Sequence, residues 1–507
     1  MNNKAENRRT ALQPENAVHP EQARGQQYYK ALCARDRRFD GVFFTGVLTT
    51  GIYCRPVCGV KTPRAASCRF FHSAAAAEHA GFRPCLRCRP ELAPYALQQN
   101  LAHRIWHQIA EGALNQQSLE AYAAKAGLSS RQIRRVLLQE FGVSPVELAQ
   151  TQRLLFAKKL LQETAMPVTD IAFAAGFGSL RRLNALFAER YQMTPGSVRR
   201  ARQHHPESIV LRLAYRPPYD WEAVIRYLAF RAIPGVETVT VSGTDSAYRR
   251  TVSLSGHQGS ICVKHDAAKS QLILEVTNTL TPVLFPLMAR VREQFDLEAS
   301  PLQIADNLGN DPLIAPLVSA HPGWRVPGAF DHFELAVRAV LGQQISVAGA
   351  TTIAGRLVQR FGTALDQQKT QFLFPSPQTI SAASVSDIAA LGMPGKRAQT
   401  LIALAQFASH GGLVRKPGDT LEICAARLCE LPGIGPWTAH YVAMRALRFT
   451  DAFPEGDLGL QKSLATLKQA AGAELPVLKC SAAETLAAAE QWRPWRAYAA
   501  MLLWQFG

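Results

Sequence analysis

Residues 431–462 read LPGIGPWTAHYVAMRALRFTDAFPEGDLGLQK, and the organisation of the chain follows outward from this stretch. Gly433 and Gly435 can both adopt positive φ, so the LPGIG run predicts a tight turn between two helices. Pro436 suits the first position of the second helix. The free N–H groups and the dipole at that helix start would favour a phosphate. An acid, Asp457, follows the helix.

Two interpretations fit this turn. An ordinary αα-hairpin followed by an Asp N-cap explains it without any chemistry, and such hairpins also occur in DNA-binding proteins that catalyse nothing. The pattern also resembles the helix-hairpin-helix plus Gly/Pro-Asp motif of base-excision DNA glycosylases. Three aromatic residues around the acid, Trp437, Tyr441 and Trp495, favour the glycosylase interpretation.

Composition indicates several domains and a polyanionic partner. The chain has 507 residues and 47% hydrophobic content, enough for several buried cores. Its net charge is +17, and residues 1–204 hold 29 Lys and Arg against 14 Asp and Glu, whereas the remainder holds 27 against 25. The strongly basic front half indicates nucleic acid as the partner. No apolar run has the length of a membrane span, and the polar residues 1–26 predict a disordered tail without a signal peptide.

Four of the chain's ten cysteines form two closely spaced pairs. Cys54-x3-Cys58 and Cys85-x2-Cys88 are closely spaced pairs, and each pair can supply one edge of the tetrahedron that zinc requires. The spacing alone would also fit a zinc ion that only stabilises a small domain. Because no export signal is visible, disulfides are not expected. The cysteines expected to be spare or core thiols are Cys68, Cys262, Cys424 and Cys429.

The sequence around these pairs, TTGIYCRPVCGVK and AGFRPCLRCRPE, resembles the N-terminal domain of the Ada family over residues 27–95. The resemblance implies that Cys54 is a zinc ligand and also accepts a methyl group, irreversibly, from a DNA phosphotriester. It assigns Cys58, Cys85 and Cys88 as the other ligands of one Zn²⁺ that is both structural and catalytic. Zinc keeps thiolates ionised at neutral pH, so the nucleophile is already formed. The basic residues expected to contact phosphates are Arg55, Lys61, Arg64, Arg69, Arg83, Arg87 and Arg89.

Residues 96–204 predict an all-α DNA-binding domain with an internal repeat. Each repeat reads as helix, short glycine turn and basic helix, and a long helix over residues 145–163 joins the two repeats. A generic basic bundle would explain neither the repeat nor the turn. The arrangement resembles the AraC-type double helix-turn-helix. The arginines expected to face DNA are Arg131, Arg134 and Arg135 in the first repeat and Arg181 and Arg182 in the second.

From residue 209 onward, short alternating runs predict an α+β domain with an antiparallel sheet over residues 209–321, and residues 322–507 predict an all-α domain. LAYRPPYDWEAVIRYLAFRAIPGVETV, AFDHFELAVRAVLGQQISVAGATTIAGRLVQRFG and QWRPWRAYAAMLLWQFG resemble the AlkA-type 3-methyladenine DNA glycosylases across both domains. The expected fold is therefore multidomain. It joins a small zinc α/β module, an all-α double helix-turn-helix, an α+β domain without catalytic residues and an all-α helix-hairpin-helix glycosylase domain.

The resemblance assigns roles to residues of the rear half. A glycosylase that acts on duplex DNA flips the base out of the stack, and Gln344 occupies the position of the wedge that fills the gap. Trp437, Tyr441 and Trp495 would form the base pocket, because aromatic faces suit a base that alkylation has made cationic. Asp457, ionised at a helix N-terminus, would stabilise the oxocarbenium-like sugar and orient or deprotonate the attacking water. The alternative acids nearby are Asp451 and Glu455.

Three motifs of related repair proteins are absent from the sequence, and each absence excludes one type of activity or cofactor. Bifunctional relatives place a Schiff-base lysine where this chain has Trp437, so a monofunctional enzyme is expected. Relatives with an iron–sulfur cluster carry four cysteines after the catalytic acid, whereas only Cys480 follows Asp457, so no cluster is expected. The Pro-Cys-His run of the Ada-type guanine methyltransferase is also missing.

The sequence predicts an alkylation-damage response protein, in which a glycosylase for 3-methyladenine-type purines is fused to a methyl acceptor that switches a transcription activator. The alternatives are a transcription regulator with an inactive glycosylase-like module, and a repair enzyme that its helix-turn-helix merely tethers. The expected partners are double-stranded DNA, at alkylated sites and promoters, and RNA polymerase. A monomer is expected in the bacterial cytoplasm, associated with the nucleoid and not with a membrane.

Overall fold

The computed structural model describes residues 17–93, 101–115, 117–199, 208–472 and 479–507. These residues group into two compact units. The first unit contains the chain up to Arg216 together with Ala268–Ala289 and Lys416–Gly418, and the second unit contains the remainder. Residues 1–16 of the expected tail and residues 201–207 between the front and rear halves lie outside the described residues.

The first unit begins with a small module around a four-stranded sheet. Its elements are α1 (Ala23–Cys33), β1 (Phe44–Val47), β2 (Ile52–Cys54), β3 (Cys68–Phe71), α2 (Ala74–His79) and β4 (Arg83–Pro84). The strand order is β3–β1–β2–β4, with only β2 and β4 parallel. Helix α1 starts inside the expected tail, because Tyr28 is buried and stacks on Phe43 with ring centroids 4.3 Å apart.

Two helix-turn-helix repeats follow in the same unit, as predicted. The helices are α3 (Leu101–Ala110), α4 (Leu119–Ala126), α5 (Ser130–Phe141), α6 (Pro145–Glu163), α7 (Val168–Ala174), α8 (Leu180–Tyr191) and α9 (Pro195–Val198). Gly127 ends α4 at φ 69°, and Ser129 begins α5 through a capping box with Gln132. Because Ile133 and Leu137 are fully buried, the opposite face of α5 is turned to solvent.

The α+β segment supplies strands to both units. Its elements are β5 (Ser208–Ala214), α10 (Trp221–Ala229), β6 (Glu237–Thr240), β7 (Ala247–Leu254), β8 (His257–Asp266), β9 (Gln271–Thr277), α11 (Leu284–Gln294), α12 (Pro301–Leu308) and α13 (Ala315–Ala320). In the first unit β5 pairs with β9, and in the second unit β7 pairs with both β6 and β8. All these pairings are antiparallel, as the alternating runs predicted.

The rest of the second unit is helical apart from one short strand pair. Its elements are α14 (His332–Leu341), α15 (Val347–Phe361), β10 (Thr363–Ala364), β11 (Phe372–Leu373), α16 (Pro377–Ser381), α17 (Val385–Ala389), α18 (Gly395–Ser409), α19 (Leu421–Cys429), α20 (Pro436–Arg445), α21 (Leu458–Ala470), α22 (Ala482–Ala489) and α23 (Arg496–Phe506). Helix α14 packs against α15, α18 and α20 around a single apolar core. Within the described residues, no helix is both long enough and apolar enough to cross a bilayer.

Candidate active site and zinc centre

The predicted turn joins α19 to α20. Gly433 has φ 79°, and a Cβ atom built on it would lie 2.2 Å from Thr400 Oγ1, so both conformation and space require glycine. Gly435 has φ −99° and caps α20, with nothing within 4 Å of its ideal Cβ. The turn therefore uses positive φ at Gly433 alone. Pro436 begins α20, as expected.

The candidate wedge lies on a turn that is braced against this hairpin. Gln344 is exposed and has φ 59°, a left-handed conformation that costs a non-glycine residue free energy. Its neighbour Gln343 donates from Nε2 to Gly433 O at 2.9 Å and to Thr438 Oγ1 at 3.0 Å. Arg397 donates to Gln343 O at 2.6 Å. The turn that carries Gln344 and the hairpin turn are thus held together by hydrogen bonds.

Three donors fix the carboxylate of Asp457 at the start of α21. Its Oδ1 accepts from the Trp504 indole Nε1 at 2.9 Å and from the Leu460 backbone N–H at 3.0 Å. Its Oδ2 accepts from Trp437 Nε1 at 2.9 Å. Indole N–H groups can only donate, so the arrangement suits a carboxylate that acts purely as an acceptor.

Asp457 faces a cavity of about 400 Å³, large enough for a purine. Trp437 and Tyr441 line it and are stacked, with ring centroids 5.5 Å apart and planes inclined by 12°. Trp504 closes the other side, with its ring centroid 6.0 Å from that of Tyr441. The structure therefore brings the acid, Trp437 and Tyr441 together as the sequence suggested.

Trp495 lies elsewhere. It is 7% exposed, precedes α23 and packs edge-on against Tyr498, with ring centroids 5.8 Å apart, and it does not line the cavity. Trp504, in the last turn of α23, supplies the third aromatic wall instead. Both residues lie in the same aromatic C-terminal stretch, and only the path of α23 decides which one reaches the cavity.

The alternative acids do not line the cavity either. Asp451 forms ion pairs with Arg493 and with Arg496, the latter at 2.8 Å. Two of the acids that do line the cavity, Glu237 and Glu334, are paired with arginines. In the part of the chain that the structure describes, Asp457 has no such cationic partner.

Residues of the α+β segment complete the cavity, and sequence reasoning did not find them. Tyr227 on α10 lines the wall together with Arg231, and Arg445 on α20 donates hydrogen bonds to the hydroxyl groups of Tyr227 and Tyr441. In the sequence, Tyr227 is simply one of the residues on the apolar face of an amphipathic helix. Its contacts in the cavity cannot be predicted, because its partners lie far away in the chain.

The four cysteines of the two pairs converge in the first unit. Cys54, Cys58, Cys85 and Cys88 each offer a sulfur atom, and all four sulfur atoms lie within 4.8 Å of one another. Hydrogen bonds with Cys54 are the main cause that lowers the pKa of Cys58 and of Cys85, and the hydrogen bond with Cys58 is the main cause that raises the pKa of Cys54. The Arg55 backbone N–H donates to Cys88 Sγ at 3.4 Å. Four convergent thiols with this donor set fit tetrahedral zinc.

Two of the expected phosphate contacts are instead structural. The side chain of Arg55 pairs with Asp40 and donates to Cys88 O, and Arg89 pairs with Glu163 at 2.6 Å and with Glu91 at 2.9 Å. Both guanidinium groups are nearly buried. The other predicted contacts that are exposed are Lys61, Arg64 and Arg87, and those that are half-buried are Arg69 and Arg83.

A buried carboxylate connects this module to the helical repeats. Glu78 on α2 accepts from Tyr53 Oη at 3.0 Å, from Thr151 Oγ1 at 3.0 Å and from Tyr191 Oη at 3.2 Å. Tyr53 directly precedes Cys54, Thr151 lies on α6 and Tyr191 ends α8. Burial raises the pKa of Glu78 to about 7, and the three hydrogen bonds oppose the rise.

The basic helices present their arginines to solvent. On α5 the exposed arginines are Arg131, Arg134 and Arg135, and on α8 they are Arg181 and Arg182. Arg134 pairs with Glu120 on α4 at 3.3 Å, an exposed contact that a phosphate could replace at little cost. The structure leaves all five available for DNA.

Family models match each of these regions. They are the metal binding domain of Ada at residues 27–91, a helix-turn-helix domain at 122–201, the AlkA N-terminal domain at 210–331 and the HhH-GPD superfamily of base excision DNA repair proteins at 337–482. Since the Ada model covers the cysteine cluster, the four thiols form the site of one zinc ion, as predicted.

Three relatives cover different parts of the chain. A probable bifunctional transcriptional activator/DNA repair enzyme AlkA of Mycobacterium tuberculosis is 37% identical over 94% of this chain and 95% of its own. The DNA-3-methyladenine glycosylase 2 of Escherichia coli is 37% identical over 58% of this chain and 95% of its own. The bifunctional transcriptional activator/DNA repair enzyme Ada of E. coli is 32% identical over 37% of this chain and 51% of its own.

Proposed function

The chain belongs to the family of bifunctional transcriptional activators and DNA repair enzymes that includes the M. tuberculosis AlkA protein, and we propose that it carries out two reactions on alkylated DNA. The rear half is a glycosylase that excises alkylated purines of the 3-methyladenine type. The front half takes a methyl group from a DNA phosphotriester and then binds promoter DNA more tightly as an activator. DNA is the partner of both halves.

Asp457 carries the glycosylase chemistry. When the bond between C1′ and the base nitrogen breaks, its electron pair leaves with the base and positive charge develops on the sugar. A carboxylate held by Trp437, Trp504 and the Leu460 N–H stabilises that charge without having to reorganise. It also orients or deprotonates the water whose oxygen bonds to C1′.

The neighbouring groups determine how the base is presented and what is released. The turn around Gly433 and Gly435 binds the DNA backbone, and Gln344 fills the gap that the flipped base leaves. Trp437, Tyr441 and Trp504 hold the base. Because the hairpin carries Trp437 where a Schiff-base lysine would stand, water is the nucleophile and the product is an intact abasic strand.

In the front half, Cys54 Sγ attacks the methyl carbon of a phosphotriester. The S–C bond forms, the C–O bond breaks and the phosphodiester leaves as an anion. Zinc bound by the four cysteines would keep the thiols ionised and lower the barrier to attack. Four thiolates around a divalent ion carry a formal charge of −2, and methylation leaves −1, so repulsion of DNA phosphates decreases after the reaction. The exposed arginines of α5 and α8 then hold the promoter.

The placement of Asp457 between two indole N–H groups in the cavity carries the glycosylase proposal. We expect Asp457→Asn to lower release of 3-methyladenine and 7-methylguanine from methylated DNA by several powers of ten, since the developing charge loses its counter-charge. The matched control is Glu455→Gln, which removes an acid two positions away that does not line the cavity. Full excision by a folded, DNA-binding Asp457→Asn would instead favour the regulator with an inactive module. Trapping with borohydride would contradict a monofunctional reaction.

The methyl acceptor has its own test. After incubation with methylated DNA, peptide mass analysis should place one methyl group on Cys54, and affinity for promoter DNA should rise. Cys68 is the internal control, because it is a buried thiol outside the cluster. Methylation of Cys68, or an unchanged affinity, would exclude the charge switch.

The remaining partners follow from this role. We propose RNA polymerase as a further partner, since an activator acts on transcription, and the bacterial cytoplasm as the location, since both reactions act on DNA. We propose that the protein is a monomer. Sedimentation with and without promoter DNA would test that state.

A further inference from the structure

One wall of the cavity is polar, although it is built from tyrosines. Arg445 Nη1 donates to the hydroxyl oxygen of Tyr227 and, at 3.0 Å, to that of Tyr441. Arg445 also donates from Nε to Pro327 O, which fixes the guanidinium in the wall. Tyr227 is 7% exposed and lines the cavity, so Arg445 holds its hydroxyl at a defined place in the cavity wall.

Two guanidinium groups surround Tyr227. Arg231 lies over its ring at 3.8 Å from the centroid, and Arg445 lies 4.9 Å from the same centroid. Neither arginine forms an ion pair with a carboxylate in the described part of the chain. The tyrosine faces that could attract a cationic base are therefore already engaged by cations of the protein.

The hydroxyl of Tyr227 is left with its own proton. Its oxygen accepts from Arg445 and is also hydrogen-bonded to the hydroxyl of Tyr441, which acts as the donor because this bond lowers the pKa of Tyr227 and raises that of Tyr441. The O–H group of Tyr227 can therefore still donate to a group in the cavity. Burial raises the pKa of Tyr227, but the positive charges of Arg231 and Arg445 oppose this effect. The pKa of Tyr227 therefore lies below its ordinary value. A more acidic phenol is a stronger hydrogen-bond donor.

We propose that Tyr227 determines base specificity by donating a hydrogen bond to an acceptor atom on the edge of the flipped purine. This rests on the proposed function, because it takes the cavity to be the base pocket. An uncharged damaged purine that keeps a carbonyl or ring-nitrogen acceptor can accept the hydrogen bond from the Tyr227 O–H group. It is also not repelled by the positive charges of Arg231 and Arg445. A cationic purine is bound mainly by the aromatic faces of Trp437 and Trp504, and the hydrogen bond from Tyr227 contributes less to its binding free energy.

The test measures equilibrium binding of the full-length Asp457→Asn protein to three duplexes, which contain hypoxanthine, 7-methylguanine or a tetrahydrofuran abasic analogue. Adding Tyr227→Phe, which keeps the ring, should weaken binding of the hypoxanthine duplex about tenfold relative to the tetrahydrofuran duplex, the loss expected for one hydrogen bond. The 7-methylguanine duplex should lose less. The control is Tyr219→Phe, which removes a hydroxyl that donates to Phe295 O at 2.7 Å outside the cavity.

Equal weakening of all three duplexes would show that Tyr227 is merely structural, and unchanged affinities for all three would show that its hydroxyl does not contact the base. Either result overturns the inference. Excision by the protein with Asp457 intact is measured in parallel. If it excises no base while the binding ratio still shifts with Tyr227→Phe, the proposed glycosylase reaction fails and the specificity role stands.

Discussion

Gly459 shows how closely the protein surrounds Asp457. A Cβ atom built on Gly459 would lie 2.9 Å from Asp457 Oδ1 and 3.3 Å from Trp504 Cδ1. The first turn of α21 therefore needs a residue without a side chain, so that the indole and the carboxylate can meet above it.

At the scale of this residue, we expect Gly459→Ala to fold and bind DNA but to excise alkylated purines roughly 10–100-fold more slowly, since small displacements of a catalytic group are costly. Single-turnover release of 7-methylguanine is the measurement. Gly456→Ala is the control, because nothing lies within 4 Å of its ideal Cβ. Wild-type rates for Gly459→Ala would mean that the contact between Trp504 and Asp457 does not matter.

Individual site residues differ in how far sequence could locate them. Asp457 was predicted as an N-cap, and it caps α21. Trp495 and Trp504 lie on one aromatic segment, and no local pattern states which of them faces the cavity. Tyr227 was missed because its role depends on contacts with Arg445, more than two hundred positions away in the chain. Contacts at such separation leave no periodic trace in a single sequence.

At the scale of the element, the hairpin between α19 and α20 depends on one glycine. Gly433→Ala would place a methyl group against Thr400 Oγ1 at a left-handed backbone position, and we expect a loss of about 1–3 kcal/mol from the stability of the second unit together with weaker DNA binding. Urea unfolding and duplex affinity measure the two effects.

Gly435→Ala is the control for Gly433→Ala, because it also replaces a glycine of the turn but does so at a position without positive φ. Its φ of −99° and open surroundings accept a methyl group, so stability should be close to that of the wild type. Equal destabilisation by the two substitutions would show that the contact with Thr400 is not what selects glycine.

Elements with strong local signals were predicted well. The cysteine spacings predicted the zinc cluster, and the repeat of glycine turn and basic helix predicted α4–α5 and α7–α8, which the family models confirm. The start of α1 was missed, because residues 17–26 are mostly polar and the helix is held by tertiary packing, in which Tyr28, Ala31 and Leu32 join an apolar cluster with Phe43. Arg55 and Arg89 were expected at a DNA surface, since sequence does not reveal that Asp40 and Glu163 face them.

At the scale of the whole first unit, Glu78 ties the methyl-acceptor module to both helical repeats. Its pKa is raised from 4.5 to about 7 in the folded state. Between these values the folded protein keeps a proton that the unfolded chain has lost. Stability should therefore fall as pH rises from about 4.5 to about 7, by up to about 3 kcal/mol, and then level off.

Glu78→Gln isolates this contribution, because the amide stays neutral at every pH and keeps an oxygen that can accept hydrogen bonds. The unfolding free energy of the variant minus that of the wild type should rise between pH 5 and pH 7, because only the wild type loses stability there, and should then stay constant to pH 8. Parallel pH profiles would contradict a buried, protonated Glu78. The same variant would test whether methylation of Cys54 still changes promoter affinity when this junction is altered.

The two indole N–H groups that donate to Asp457 also allow the site to be followed by NMR spectroscopy. The chain has seven tryptophans, so protein labelled with ¹⁵N only in tryptophan would give seven indole cross-peaks at most. Those of Trp437 and Trp504 share one carboxylate and would shift together when a base enters. The indole of Trp492, bonded to Asp311 at 2.5 Å, serves as a reference within the same spectrum. Occupancy of the cavity could thus be followed in solution without labelling the DNA.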